Sequence, residues 1–276
     1  MILTTLTLAW LLRWYGSTPQ GNWAQRWQRA LLFFLLPPLL LVMTALAVLC
    51  MGPQGQMIGL HTDWYSYSLV LGCVGLALLV GLKLAIEGYQ SLRNIRTTPQ
   101  IDLEGISARL LNSPTLFSAQ IGFWQPELVV SRGLLETLTP EHLQAVLVHE
   151  QAHQYYRDTF WFFWMGWLRR ITGWLPNTEA LWQELLILRE LRADRWAAQR
   201  VDNLLLAESL LTVVSTPMME SENFMAAFSP TVPPNRLQER IEALLGEPEV
   251  STSVTWWAWS WVLVPLLPLM AVPFHR

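Results

Sequence analysis

Residues 30–51 contain no charged side chain, and as a helix that run is long enough to cross the ~30 Å hydrocarbon core of a bilayer. A chain built around such a segment must either bury it on all sides or place it in lipid. The remaining composition favours lipid: 52% of the 276 residues are hydrophobic, 14% are charged, and there are 16 tryptophans. That balance belongs to integral membrane proteins rather than to ordinary soluble enzymes. Pro37-Pro38 predicts a kink that neighbouring helices accommodate. A second run, 69–86, carries Lys83 near its end and a stripe of small residues, Cys73, Ala77, Gly81 and Ala85, at a spacing suited to close helix packing.

Two weaker segments complete the expected architecture. Residues 2–12 reach across if Arg13 snorkels and Trp14 and Tyr15 anchor at the interface. No basic region precedes this run and no small-residue cleavage site follows it, so it does not read as a secretory signal. Residues 256–274 form the last apolar stretch, with prolines and an aromatic cluster at its start. The fold class expected is a mainly α integral membrane protein with about four transmembrane helices. Three are N-terminal, at about residues 1–15, 30–51 and 67–87 within 1–87, and one lies at 256–274. A domain of its own occupies 88–250.

Loop charges orient this arrangement. The connection after the first run holds Arg13, Arg26 and Arg29 without an acid, whereas 52–66 holds no Lys or Arg. The positive-inside rule therefore places the first connection in the cytoplasm, the N-terminus outside, and the domain after Lys83, Arg93 and Arg96 inside, as in a bacterial inner (plasma) membrane. The formal net charge is only −3 and no basic block occurs, so nothing in the sequence points to a nucleic-acid partner. Cys50 and Cys73 lie in apolar runs and form neither a metal-ligand pair nor a disulfide framework.

Within the domain, residues 107–112 read as helical, and 115–131 as strands broken at Gly122 and Pro126. Thr139-Pro140 is a helix start, because Thr caps and Pro suits the first helical position. That helix runs to about Asp158. Residues 159–176 hold Trp161, Trp164, Trp167 and Trp174 around Arg169-Arg170, and predict an interfacial helix, with a buried core helix as the alternative. A further helix covers about 179–201.

The chemistry concentrates in His149-Glu150-Gln151-Ala152-His153. On a helix the two histidines stand one turn apart on one face and can share a single Zn2+, with Glu150 beside them as general base. Glu190, on a separate predicted helix, is the third ligand expected, and Asp194 one turn later fixes a ligand imidazole. Glu190 and Asp194 could instead be surface partners of Arg157, Arg192 or Arg195, the usual role of such charges. His142 lies two turns from His149, about 10 Å by helix rise, and cannot join the same ion.

These residues resemble the BlaR/MecR-type membrane metallopeptidases, a group whose bacterial receptor members sense beta-lactams. The resemblance rests on Ser113-Pro114, Gly122-Phe123, Pro126-Glu127-Leu128-Val129-Val130, Gly133 to Leu138, Ala145 to His153, Arg157-Asp158, Trp174-Leu175-Pro176, Glu190-x-x-Ala193-Asp194 and Arg240-Ile241. It implies a cytoplasmic α+β gluzincin-like zinc peptidase domain that cuts a cytoplasmic protein, in receptor members a transcriptional repressor. Arg240 would support the site or the transition state, a structural salt bridge being the simpler role. Gly122, Phe123, Leu128, Val129 and Val130 would form the strand edge to which substrate adds. Receptor members carry an extracellular sensor after the last span. Here the sequence stops at Arg276, so the expectation is a separate sensor protein or none. A homodimer is also compatible with this reading.

Two other functions compete with signalling proteolysis. One is a membrane quality-control protease resembling the HtpX and CAAX-protease group. The other is a catalytically silent zinc-binding scaffold, against which Glu150 argues, since a structural site has no use for a base.

Overall fold

The computed structural model describes residues 2–16, 21–53, 56–57, 60–61, 63–103, 105–214, 236–246, 256–270 and 272–274. In chain order the elements are α1 (Ile2–Tyr15), α2 (Trp23–Met51), β1 (Gln56–Met57), β2 (Leu60–His61), α3 (Trp64–Arg96), β3 (Gln100–Leu103), β4 (Ile106–Leu111), β5 (Ser118–Ile121) and β6 (Glu127–Ser131). They continue with α4 (Arg132–Thr137), α5 (Pro140–Tyr155), α6 (Asp158–Ile171), α7 (Thr178–Ala197), α8 (Asn203–Val214) and α9 (Leu237–Leu245). A 3-10 stretch, Trp256–Leu266, and the short α10 (Leu267–Met270) follow. The chain divides into two compact units: Met1–Leu82 with Trp167–Leu185 and Glu249–Arg276, and Lys83–Gly166 with Leu186–Pro248. The expected domain over 88–250 is therefore not one contiguous piece, because its middle, 167–185, clusters with the apolar helices.

In the first unit, α2 and α3 are the two described helices long and apolar enough to cross a membrane. Along α3, Leu69, Leu76, Leu78, Leu79 and Leu82 are all more than half exposed, an apolar surface far larger than a water-facing helix tolerates. α1, with 14 residues, spans only about 21 Å and is short for the hydrocarbon core. Residues 256–274 contain no long α-helix among those described. Pro265 interrupts the 3-10 stretch and Pro268 lies in α10, where proline removes the donors that a continuous helix needs. The expectation of four spans thus reduces to two helices that meet the requirement.

Arg13 does not snorkel. It is fully buried, and the reason lies in Pro37-Pro38, which are inside α2. Proline at 38 cannot donate to the carbonyl of Phe34, and Arg13 Nη2 donates to that oxygen at 3.0 Å instead. Arg13 Nη1 donates to Thr178 Oγ1 at 3.0 Å, and the guanidinium lies over the Phe34 ring at 5.3 Å. The small stripe on α3 receives a side chain too: Trp167 Nε1 donates to the Ala77 carbonyl at 2.8 Å, and a Cβ on Gly81 would stand 3.3 Å from that nitrogen.

The second unit holds a four-stranded sheet in the order β3-β4-β6-β5, antiparallel except for the parallel pair β4 and β6. Residues 107–112, expected as a helix, are mostly β4. Ala, Arg and Leu there favour helix by propensity, but pairing with β3 on one side and β6 on the other overrides it. Leu128, Val129 and Val130 lie on β6, which is paired on both sides. They cannot form a substrate edge, and the outer strands are β3 and β5, of which β5 neighbours β6. Phe123 is also elsewhere, packed in the β5–β6 connection against Phe160 at 4.9 Å and Phe163 at 5.0 Å.

One face of the sheet meets α5 through Ala108, Leu128, Val130, Val146 and Leu147. The other side of α5 packs on α8 and α9 through Ala145, Leu206, Leu210 and Leu244. α5 is thus clamped from two directions. Ser131 secures the entry to this layer: its hydroxyl donates to Thr115 O at 2.5 Å and accepts from Phe117 N and Leu134 N, the latter capping α4. Immediately after it, Gly133 passes so close to the preceding loop that a Cβ would lie 2.1 Å from Pro114 O. Gly133→Ala should therefore force backbone apart and cost about 1–3 kcal/mol, as overpacking does. A lowered thermal midpoint in detergent is the expected readout, and an unchanged midpoint would show that the loop yields freely.

Candidate metal centre

α5 begins where its sequence says it should. Thr139 caps it by accepting from His142 N, and Pro140 occupies its first turn. Ten residues on, His149 and His153 project from one face, with rings 4.9 Å apart and nearly perpendicular. Their Nε2 atoms are 3.2 Å apart. Two nitrogens on one tetrahedral zinc, at a Zn–N distance of about 2.0–2.1 Å, stand about 3.3 Å apart. Glu190 comes from α7, with Oε2 at 3.3 Å from His149 Nε2 and Oε1 at 3.7 Å from His153 Nε2. One donor atom from each of the three residues lies within 4.8 Å of the others.

Ring orientation is set from behind. His153 Nδ1 is 2.8 Å from Asp158 Oδ2, and His149 Nδ1 is 2.9 Å from Asp194 Oδ1, although the latter contact lacks the alignment of a hydrogen bond. With both Nδ1 atoms facing carboxylates, both Nε2 atoms face Glu190, the arrangement that carboxylate–histidine–zinc sites require. Asp158 reaches its place because Arg157 takes a left-handed conformation, φ 54°, ending α5 and starting α6 at once.

The carboxylates are neutralised in turn. Arg240 of α9 grips Asp194 with Nε and Nη2, each at 2.8 Å, and sets Nη1 3.3 Å from Glu190 Oε2. Arg189 donates to Glu190 Oε1 at 2.8 and 2.9 Å, and Arg192 pairs with Asp158. None of the four carboxylates, Glu150, Asp158, Glu190 and Asp194, is more than 6% exposed. Set against the three guanidiniums of Arg189, Arg192 and Arg240 and a protonated His149, they balance, and loss of the His149 proton would leave one negative charge facing a bound cation.

The ionisation states follow from this crowding. Burial opposes the charge on His149, but contacts with Asp194 and Glu190 outweigh it and raise the imidazole to about 9. Burial likewise opposes the charge on Glu190, yet Arg189, His153 and Arg240 hold it well below the usual carboxylate range. Asp194 is lowered despite burial by Arg240. A zinc ligand must be neutral imidazole, so binding of a metal at neutral pH would displace the His149 proton. The donor set, its spacing and its charge fit Zn2+ with one position open.

Glu150 is also buried and faces the sheet, where Ser118 on β5 donates to its Oε1 at 2.8 Å. The structure thus brings together His149, Glu150, His153, Glu190, Asp194 and Arg240, and leaves Gly122, Phe123, Leu128, Val129 and Val130 outside the cluster. Gly122 serves a turn, with φ +139° and Gln125 O 2.9 Å from where its Cβ would be. Sequence reasoning assigned no role to Asp158, Arg189 or Ser118. A carboxylate five positions after His153 was the one available signal. Asp158→Asn should weaken zinc affinity about 10–100-fold, measured by competition with a chromophoric chelator. Affinity equal to that of the unaltered protein would remove Asp158 from the site.

Among curated proteins, none matches the chain. Residues 113–187 match the model of peptidase family M48. That stretch contains His149, Glu150 and His153 and stops short of Glu190, so the acidic half of the cluster stands on geometry alone. Over those residues the chain is similar to a family of metallopeptidases.

Proposed function

We propose that this protein is a membrane-embedded zinc-dependent endopeptidase that cuts a protein segment on the cytoplasmic side, in regulated proteolysis. The observation that carries the proposal is the facing pair of histidine Nε2 atoms beside Glu190, with a buried general base on the same helix. His149, His153 and Glu190 would hold the ion. When bound, zinc supplies Lewis acidity, activating water and polarising the scissile carbonyl.

The chain's own groups do the rest. Ser118 engages one oxygen of Glu150, and the other is left to take a proton from the attacking water and pass it to the leaving amine. Asp194 and Asp158 hold the two rings. Arg240 and Arg189 keep Glu190 ionised and in place. β5 pairs only with β6 among the described strands, and an extended substrate would add along its free side, bringing a peptide carbonyl toward Glu150. The cytoplasmic placement rests on the charge asymmetry of the loops. A transcriptional repressor as substrate would make the protein a signalling protease, whereas damaged membrane proteins would make it a quality-control enzyme.

A silent zinc scaffold is the competing class, and Glu150→Gln separates it from the enzyme. In nanodiscs the variant should keep its zinc while cleavage falls by at least about 100-fold, the scale of a positioned general base. Cleavage at the unaltered rate would end the hydrolytic proposal, as would a protein that binds zinc and cuts no peptide.

A further inference from the structure

The turn between β5 and β6 carries two aromatic rings, and one of them is left outside. Phe123 packs inward against Phe160 and Phe163. Trp124 is 69% exposed, edge to face with Phe160 at 5.4 Å and with the Arg157 guanidinium 5.9 Å from its ring. α6 adds Trp161 and Trp164, three positions apart and so on one side of the helix, 58% and 44% exposed, while Phe162, Phe163, Met165 and Leu168 take its buried side. Phe160 joins the indoles into one patch, lying 5.1 Å from Trp161 and 6.5 Å from Trp164. A contiguous apolar patch of this kind marks a contact surface.

Depth says what covers it. Trp167, on the same helix, donates to the carbonyl of Ala77 on α3, and residues 64–82 of α3 hold no charge. Lys83, the first charge after that run, lies six positions beyond Ala77, about 9 Å along the helix. Trp161 is also six positions from Trp167, about 9 Å along α6. Whichever way α6 runs, the backbones of Trp161 and Trp164 therefore stand no further toward water than the level at which α3 gains its first charge. That level is where hydrocarbon gives way to headgroups.

Residue chemistry agrees with the depth. Indole joins an apolar body to one polar N–H, which suits the headgroup layer better than either water or hydrocarbon. The two segments that build the patch, 122–126 and 158–171, contain a single acid, Asp158, and it is buried against Arg192. Neither segment therefore turns an exposed carboxylate toward phosphate. Arg157, exposed beside Trp124, offers phosphate a cation instead.

We propose that the β5–β6 turn and the outward side of α6 form a lipid anchor, with Trp124, Trp161 and Trp164 among phospholipid headgroups and Arg157 at their phosphates. The inference rests on the chain being membrane-embedded and not on hydrolysis. It holds the start of α6 at the bilayer: Asp158, which orients His153, lies three positions before Trp161, about 5 Å along the helix. To test it, the full chain with Cys50→Ala and Cys73→Ala takes one nitroxide label at a time, through Trp124→Cys, Gln125→Cys or Trp161→Cys, in nanodiscs of phosphatidylcholine and phosphatidylglycerol. Collisions with oxygen, which concentrates in lipid, and with a water-soluble nickel chelate report what covers each label. Leu79→Cys on α3 and Glu141→Cys at the start of α5, both exposed in the structure, are the lipid and water references. Labels at 124, 125 and 161 should lose most of the nickel collisions seen at 141 and gain oxygen collisions. Gln125, exposed beside the rings, leaves every ring in place and so reports even where a missing indole unsettles the turn. Nickel access equal to that at 141 would overturn the anchor, and so would shielding from both reagents, the sign of a second copy or another protein. Position 79 keeps the two readings apart: shielded from nickel there while 124 and 161 are open strikes the anchor alone, whereas nickel access at 79 removes the membrane-embedded reading with it.

Discussion

Glu190 is the point on which the second unit depends. It stands between two imidazoles on one side and the guanidiniums of Arg189 and Arg240 on the other, in a place where an unpaired charge would be heavily penalised. Through Arg240 and Asp194 the same network ties α9 to α7, and through His149 it ties α7 to α5. Through Asp158 and Arg192 it fixes the start of α6. Truncating one member of such a group leaves its partner buried and uncompensated, at a cost of about 3–5 kcal/mol. The candidate metal ligands and the helix packing are therefore one structure, and a substitution that removes a member of the cluster also loosens the fold around it.

Two histidines one turn apart share a helix face, but that spacing does not decide which ring nitrogens meet. Both rings could turn either way about their χ2 bonds. Carboxylates behind each Nδ1 remove that freedom, and they come from different places: Asp194 from α7, and Asp158 from just past a left-handed residue. The clamp on α5, sheet on one side and α8 with α9 on the other, supplies the rigidity that a preorganised site needs.

How much of this was legible in the sequence varies with the range of the interaction. His149, Glu150, His153 and the Thr139-Pro140 start are local signals, and local geometry carries them into the structure unchanged. Glu190 and Asp194 were legible as a second motif, since one turn of helix aligns them. Residues 107–112 were misread because their propensity is helical and only pairing with β3 and β6, remote in the case of β6, makes them a strand. The substrate edge was misplaced for the same reason: nothing local tells β5 from β6, and strand order decides which lies outside. The role of Asp158 was not legible because it aligns with His153 only through the conformation of Arg157, which helical periodicity does not describe.

The first unit shows the same dependence on remote partners in an apolar setting. A charged residue near the end of a short apolar helix reads as a snorkelling anchor, because a guanidinium leaving lipid for water is the cheapest local solution. Two prolines some 25 positions downstream change that balance. They strip donors from α2, and the Phe34 carbonyl freed in this way becomes an acceptor in a place that water does not reach. None of the described contacts of Arg13 is a carboxylate. Its partners are that carbonyl, the Thr178 hydroxyl and the Phe34 ring, and Thr178 passes its own proton to Thr172 O or Leu175 O. Proline and arginine, each costly in such a helix alone, here offset part of one another's penalty at the Phe34 carbonyl, and the positive charge counted as a marker of the cytoplasmic side is at the same time part of the helix packing.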